Sequence, residues 1–165
     1  MDARLLVFVA TTLFMASLSH GTTKSSATIV VMGVVYCDTC SNNTFSRHSY
    51  FLPGVKVHVD CELNANSPTT TERLSFSVNR TTDRFGVYKL EIASVDGFQC
   101  AESSTIQTFC KASLIGSSTS SCNVPGLKTT AQEMVIKSKQ VNLCIYSLGV
   151  LNYKPPMRNK VLCGN

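Results

Sequence analysis

Residues 27–40 read ATIVVMGVVYCDTC, and this stretch decides the fold. Its run of β-branched residues (Thr28, Ile29, Val30, Val31, Val34, Val35) predicts a strand over 27–36, with Gly33 marking a bulge or a close approach to the backbone. The strand then runs directly into Cys37-Asp38-Thr39-Cys40. In extended chain, residues three apart point to opposite faces, so the two sulfurs are expected to reach different partners rather than each other. A redox CxxC would need a thiolate held at a helix N-terminus, and Ser41-Asn42-Asn43-Thr44 gives no sign of a helix. No second CxxC or paired His completes a tetrahedral zinc set either.

The β pattern continues outward. Phe51-Leu52-Pro53-Gly54 reads as a turn, after which Val55, Val57 and Val59 alternate with Lys56, His58 and Asp60. Residues 74–78 and 87–92 alternate likewise, joined by a turn over 82–86, and 105–115, 133–136 and 141–146 are further candidate strands. Ser/Thr/Asn-rich loops are expected over 41–46, 63–71 and 116–121. The segment Asn152-Tyr-Lys-Pro-Pro156 is not expected to be a central strand, because prolines remove ladder donors. No segment carries an apolar stripe of helical period. The expected fold is all-β, a compact antiparallel β barrel or sandwich of about seven strands, held by disulfides.

Eight cysteines in 165 residues place the chain in an oxidising compartment. The N-terminus agrees: Arg4, apolar residues over 5–10 and 13–16, then Ser17, Ser19, His20 and Gly21 read as a secretory signal peptide over 1–21. That leaves 22–165 as a single domain, with no membrane span expected. Two sequons, Asn42-Asn43-Thr44 and Asn79-Arg80-Thr81, make Asn42 and Asn79 candidate glycan carriers.

Charge is unevenly spread. Residues 22–127 hold eight basic and eight acidic side chains, whereas 128–165 hold six basic residues against Glu133 alone, so the net +5 sits in the last quarter. Such a segment suits a polyanion, in an extracellular setting an acidic polysaccharide or proteoglycan. Tyr153, Lys154, Arg158 and Lys160 are the candidate contact residues. Nothing interleaves aromatic and basic residues as nucleic-acid modules do. His20, His48 and His58 fall in no catalytic or metal-binding motif, the carboxylates are scattered, and no cofactor is expected. The chain is therefore read as a non-enzyme, and a monomer is expected.

The cysteine framework also carries a resemblance. Val35-Tyr36-Cys37-Asp38-Thr39-Cys40, Phe51-Leu52-Pro53-Gly54-Val55-Lys56-Val57, Cys61, Phe109-Cys110, Leu114-Ile115, Ser121-Cys122-Asn123 and Leu162-Cys163 resemble the olive-pollen major allergen (Ole e I) and extensin-like family of secreted plant proteins. That resemblance implies a glycosylated β domain bridged Cys37–Cys122, Cys40–Cys163 and Cys61–Cys110. Cys100 and Cys144 are additional to the six-cysteine pattern and are expected to form a fourth bridge. The resemblance further implies an extracellular, cell-wall-associated protein acting in growth or in pollen and pollen-tube processes, with no catalytic site to carry over. Five prolines and no proline-rich repeat speak against a cross-linked wall component. The competing expectation is a protein-binding module, such as a receptor ligand or an inhibitor of a secreted enzyme.

Overall fold

The strand expected over 27–36 is β1 (Ser26–Cys37), the spine of the larger of two sheets. The computed structural model describes residues 26–66, 71–96, 106–130, 135–140 and 143–164. The signal peptide expected over 1–21 and Cys100 lie outside the described residues.

The remaining strands are β2 (Tyr50–Phe51), β3 (Lys56–Asn66), β4 (Thr71–Thr81), β5 (Val87–Asp96), β6 (Ile106–Gly116), β7 (Val124–Pro125), β8 (Val135–Gln140), β9 (Leu143–Ser147) and β10 (Leu151–Lys154). One short helix, α1 (Lys160–Cys163), follows, started by Asn159 accepting from the Val161 and Leu162 amides. Seven strands form one sheet in the order β7-β10-β1-β9-β8, with β5 and β2 also pairing β1; the other sheet is β4-β3-β6.

Period-two alternation builds the core. From β1, Ile29, Val31, Val35 and Cys37 point inward; from β3, Val57, Val59 and Cys61; from β5, Tyr88, Leu90 and Ile92; from β6, Cys110, Ala112 and Leu114. One buried cluster thus joins both sheets face to face, and the fold is a sandwich rather than a closed barrel. Gly33 serves close approach: a Cβ there would collide with the Tyr88 ring and hydroxyl. The bulge in β1 falls elsewhere, between Ala27 and Ile29. Gly54 takes φ +72° after Pro53, a left-handed conformation that glycine adopts without strain.

Three expectations need correction. Pairing is not uniformly antiparallel, because β1 runs parallel to both β9 and β10. Residues 63–66 and 71 of the expected loop are strand, with β3 and β4 in register as far as Asn66 opposite Thr71, because a long ladder satisfies the backbone whatever the side chains; residues 67–70 lie outside the described residues. Finally, 151–154 is an internal strand, lying between β1 and β7. It stops at Lys154, so Pro155 and Pro156 fall just beyond the ladder they would have broken.

Candidate functional site

The cysteines behave as the splayed CxxC requires. Cys37 bonds Cys122, Cys40 bonds Cys163, and Cys61 bonds Cys110, directly opposite it on β6. Cys144 is also disulfide-bonded, and its expected partner Cys100 lies outside the described residues. These bridges fit an oxidising, extracellular location.

Between the first two bridges sits a buried polar knot that sequence reasoning missed. Asp38 and Asn152 are both fully buried. The Asn43 amide donates to Asp38 Oδ2 at 2.6 Å, and Asn152 Nδ2 reaches both Asp38 Oδ2 and Asn43 Oδ1 at 3.5 Å. The Leu127 amide donates to Asn152 Oδ1, and the Asp38 amide donates to the Tyr153 carbonyl at 2.8 Å. This knot holds β10 against the start of the 38–49 loop.

It also sorts the expected contact residues. Tyr153 drops out, since its side chain is 3 % exposed within the core cluster and burial pushes its hydroxyl pKa up. Lys154 is half-buried, while Arg158 and Lys160 are exposed. Arg158 Nη2 donates to the Cys163 and Gly164 carbonyls at 3.3 and 3.2 Å, which shapes the loop that Cys40–Cys163 closes. No carboxylate pairs with Lys154, Arg158 or Lys160 among the described residues, and 151–164 contain no acidic residue.

The outer face of the smaller sheet carries a second cluster. Alternation along β3 puts His58, Asp60 and Glu62 on one face, beside Ser75, Ser77 and Asn79 of β4. His58 Nδ1 lies 2.7 Å from Asn79 Oδ1, and its Nε2 lies 3.1 Å from Asp60 Oδ1 and 3.2 Å from Ser77 Oγ. Ser77 Oγ donates to Asp60 Oδ1 at 2.7 Å. A serine, a histidine and an aspartate thus meet, but not as a catalytic triad. Carboxylate and hydroxyl crowd the same ring nitrogen, and the serine proton goes to the carboxylate rather than to imidazole. Beside them, Asp60, Glu62, Ser75, Phe109 and Lys111 line an open concavity of about 420 Å³. No group of three or more His, Cys, Asp or Glu among the described residues could hold a metal ion.

The His58 pKa is raised, most by its hydrogen bond to Asn79; desolvation opposes this, and Asp60 adds a smaller raise. A raised folded-state pKa means that any stability it contributes is fully present below the unfolded value near 6.5 and fades as pH rises through the folded one. NMR titration should therefore place His58 above 6.5, and Asn79→Ala should move its midpoint down. A midpoint unmoved by Asn79→Ala would dissolve this cluster.

The sequons sit in different settings. Asn42 is exposed in a loop, where its Oδ1 accepts from the Thr44 hydroxyl at 2.7 Å. Asn79 is exposed on β4 with its Oδ1 committed to His58.

No protein-family model matches the sequence. Among curated proteins, the chain is 36 % identical over 62 residues to a pollen-specific protein-like chain of Arabidopsis thaliana, covering 38 % of this chain and only a third (33 %) of that one. It is 28 % identical over 142 residues to an Olee1-like protein of Betula pendula, covering 82 % of this chain and 77 % of the relative. It is 29 % identical over 93 residues to the major pollen allergen Lig v 1 of Ligustrum vulgare, covering 56 % and 54 %. Among solved structures, the major plantain pollen allergen Pla l 1 superposes with a TM-score of 0.53 at 20 % identity, over 81 % of this chain and 98 % of that one, a likeness of fold. The chain is thus similar in sequence to an Olee1-like protein and to the pollen allergen Lig v 1, and in fold to a plantain pollen allergen.

Proposed function

We propose that this is a secreted, glycosylated, non-catalytic protein that associates with the plant cell wall by binding acidic wall polymers, in growth or pollen-tube processes. The observation that carries the reading is the C-terminal loop. Lys154, Arg158 and Lys160 stand without carboxylate partners on a segment tethered by Cys40–Cys163. A tethered cationic loop gives up less conformational entropy on binding than a free tail would.

Retention of the oxidised protein on de-esterified pectin should weaken with salt, because surface charge contacts are screened within about 8 Å at physiological ionic strength. Replacing Lys154, Arg158 and Lys160 together by glutamine should remove most of the low-salt binding. Wild-type protein that passes over the polymer at low salt would end this reading. A second reading, a protein-binding module, is favoured by Met157 and Val161, which are 85 % and 95 % exposed beside the same cations. Salt-insensitive capture of a defined receptor ectodomain would favour it.

A further inference from the structure

Around β2 and the 82–86 turn, at one end of β1, Phe45, Tyr50, Phe51 and Phe85 are each 46–55 % exposed. Pairing across β1 and β2 sets Phe51 opposite Tyr36, and so on the same face. The Phe45 ring meets Tyr36 edge-on at 5.2 Å and stacks on Phe51 at 5.3 Å with 27° between planes. Phe51 in turn packs on the Gly86 backbone, where an added Cβ would stand 3.0 Å from the Phe51 Cβ. Phe85, the next residue, carries the Arg84 guanidinium 4.6 Å above its ring centroid. The result is a ridge in which Phe45 and Phe51 stack as half-exposed rings on the buried Tyr36, with Phe85 on the adjoining turn.

Its charge is specific. The ridge segments 41–54 and 82–86 carry Arg47 and Arg84 against Asp83 alone. The Asp83 carboxylate is engaged by its own turn, accepting from the Phe85 and Val87 amides at 2.8 and 2.9 Å. No carboxylate pairs with Arg47 or Arg84 among the described residues.

We infer that this ridge is a binding platform for the sugar rings of a uronic-acid polysaccharide, with pyranose C–H faces lying on Phe45, Phe51 and Phe85 and guanidinium groups taking the carboxylates. Flat rings offer contact area at little entropic cost, and a guanidinium can bind carboxylate through two parallel hydrogen bonds. Half-exposed rings beside guanidinium groups that have no carboxylate partner among the described residues favour an anionic sugar face. The inference rests on the wall-polymer reading and deepens it. The cationic loop supplies attraction for any polyanion, whereas the ridge selects sugar.

The test uses calorimetry on the oxidised protein with two probes, an oligogalacturonate of defined length and poly-L-glutamate, a polyanion without sugar. Phe45→Ala with Phe51→Ala should lower affinity for the oligogalacturonate about tenfold, the effect of uncovering roughly half of two aromatic rings, and leave poly-L-glutamate binding unchanged. Phe45→Tyr with Phe51→Tyr keeps the rings and should restore sugar binding, which a merely structural effect would not do. Neutralising Lys154, Arg158 and Lys160 should weaken both probes. If the alanine pair binds the sugar as wild type does while the neutralised loop has lost it, the ridge is not the platform and the wall-polymer reading stands. If wild type binds neither probe, both readings fall. Loss of binding to anionic phospholipid vesicles in the alanine pair, with sugar binding intact, would overturn the ridge assignment in favour of a membrane face.

Discussion

Replacing Cys37 and Cys122 together by alanine is expected to cost about 4–5 kcal/mol of unfolding free energy. The two are 85 residues apart in sequence, and in the chain-entropy account a closed loop of that size restricts the unfolded ensemble by this amount. Both sulfurs are also buried, at 1 % and 0 % exposure, so their removal leaves a gap where β1 meets the loop before β7. Domains of this size hold only about 5–15 kcal/mol in total, so the variant should unfold at much lower urea. Equilibrium urea unfolding of the oxidised proteins checks it, and a loss below about 1 kcal/mol would show that the bridge is incidental.

Loop length alone does not set the cost of each bridge. Cys40–Cys163 spans 123 residues, yet it ties down a segment whose side chains 156–162 are exposed. Opening it should cost less than opening Cys37–Cys122, because the tail can fray while the sandwich persists. Its loss should appear instead as weaker polymer binding.

The second large effect is expected at Gly33. Gly33→Ala should destabilise by about 3 kcal/mol, at the upper end of ordinary overpacking, because the new methyl meets the Tyr88 ring with no room to move. Tyr88 is fully buried between the sheets, and its hydroxyl has no hydrogen-bond partner among the described residues. The same observation predicts that Tyr88→Phe is neutral or stabilising by up to about 1–2 kcal/mol, since it removes a buried polar atom that folding leaves unsatisfied. Combining the two substitutions should recover part of the Gly33→Ala loss, and strict additivity would place the collision elsewhere.

Burial holds the Tyr88 pKa well above the usual 10, and raises Tyr36 and Tyr153 as well. Each of these tyrosines is therefore folded in its protonated form. Their stabilisation is intact below pH 10 and declines as pH rises above it, because the unfolded chain then sheds protons that the folded one keeps. Tyr88→Phe should accordingly flatten the alkaline limb of the stability profile.

Much of this is local and was legible. Alternation along 55–61 sets valines against Lys56, His58 and Asp60 whatever the partner strands are, and the valines of β3 are indeed buried. Pro53-Gly54 specifies its turn through φ preferences alone. The extended chain over Cys37 and Cys40 points the two sulfurs to opposite faces, and so toward different partners, without any knowledge of where Cys122 or Cys163 lie.

What stayed hidden depends on contacts far apart in the chain. Composition marked Lys154, Arg158 and Lys160 as a basic segment, but Tyr153 read as an equal member of it. Only the parallel pairing of β10 with β1 turns that ring into the core. Asn152 becomes the centre of the buried knot only when Asp38 and Leu127 are brought to it across the fold. The prolines argued against an inner strand because sequence shows that they break ladders, not where the ladder stops. Phe45, Phe51 and Phe85 form a ridge only because β2 and the 82–86 turn meet at one end of β1. A residue's own chemistry and its immediate period determine which face of the chain is apolar. Which faces are then covered, and which functional groups become neighbours, is decided by hydrogen-bonded pairings between distant segments, for which the local sequence carries no signal.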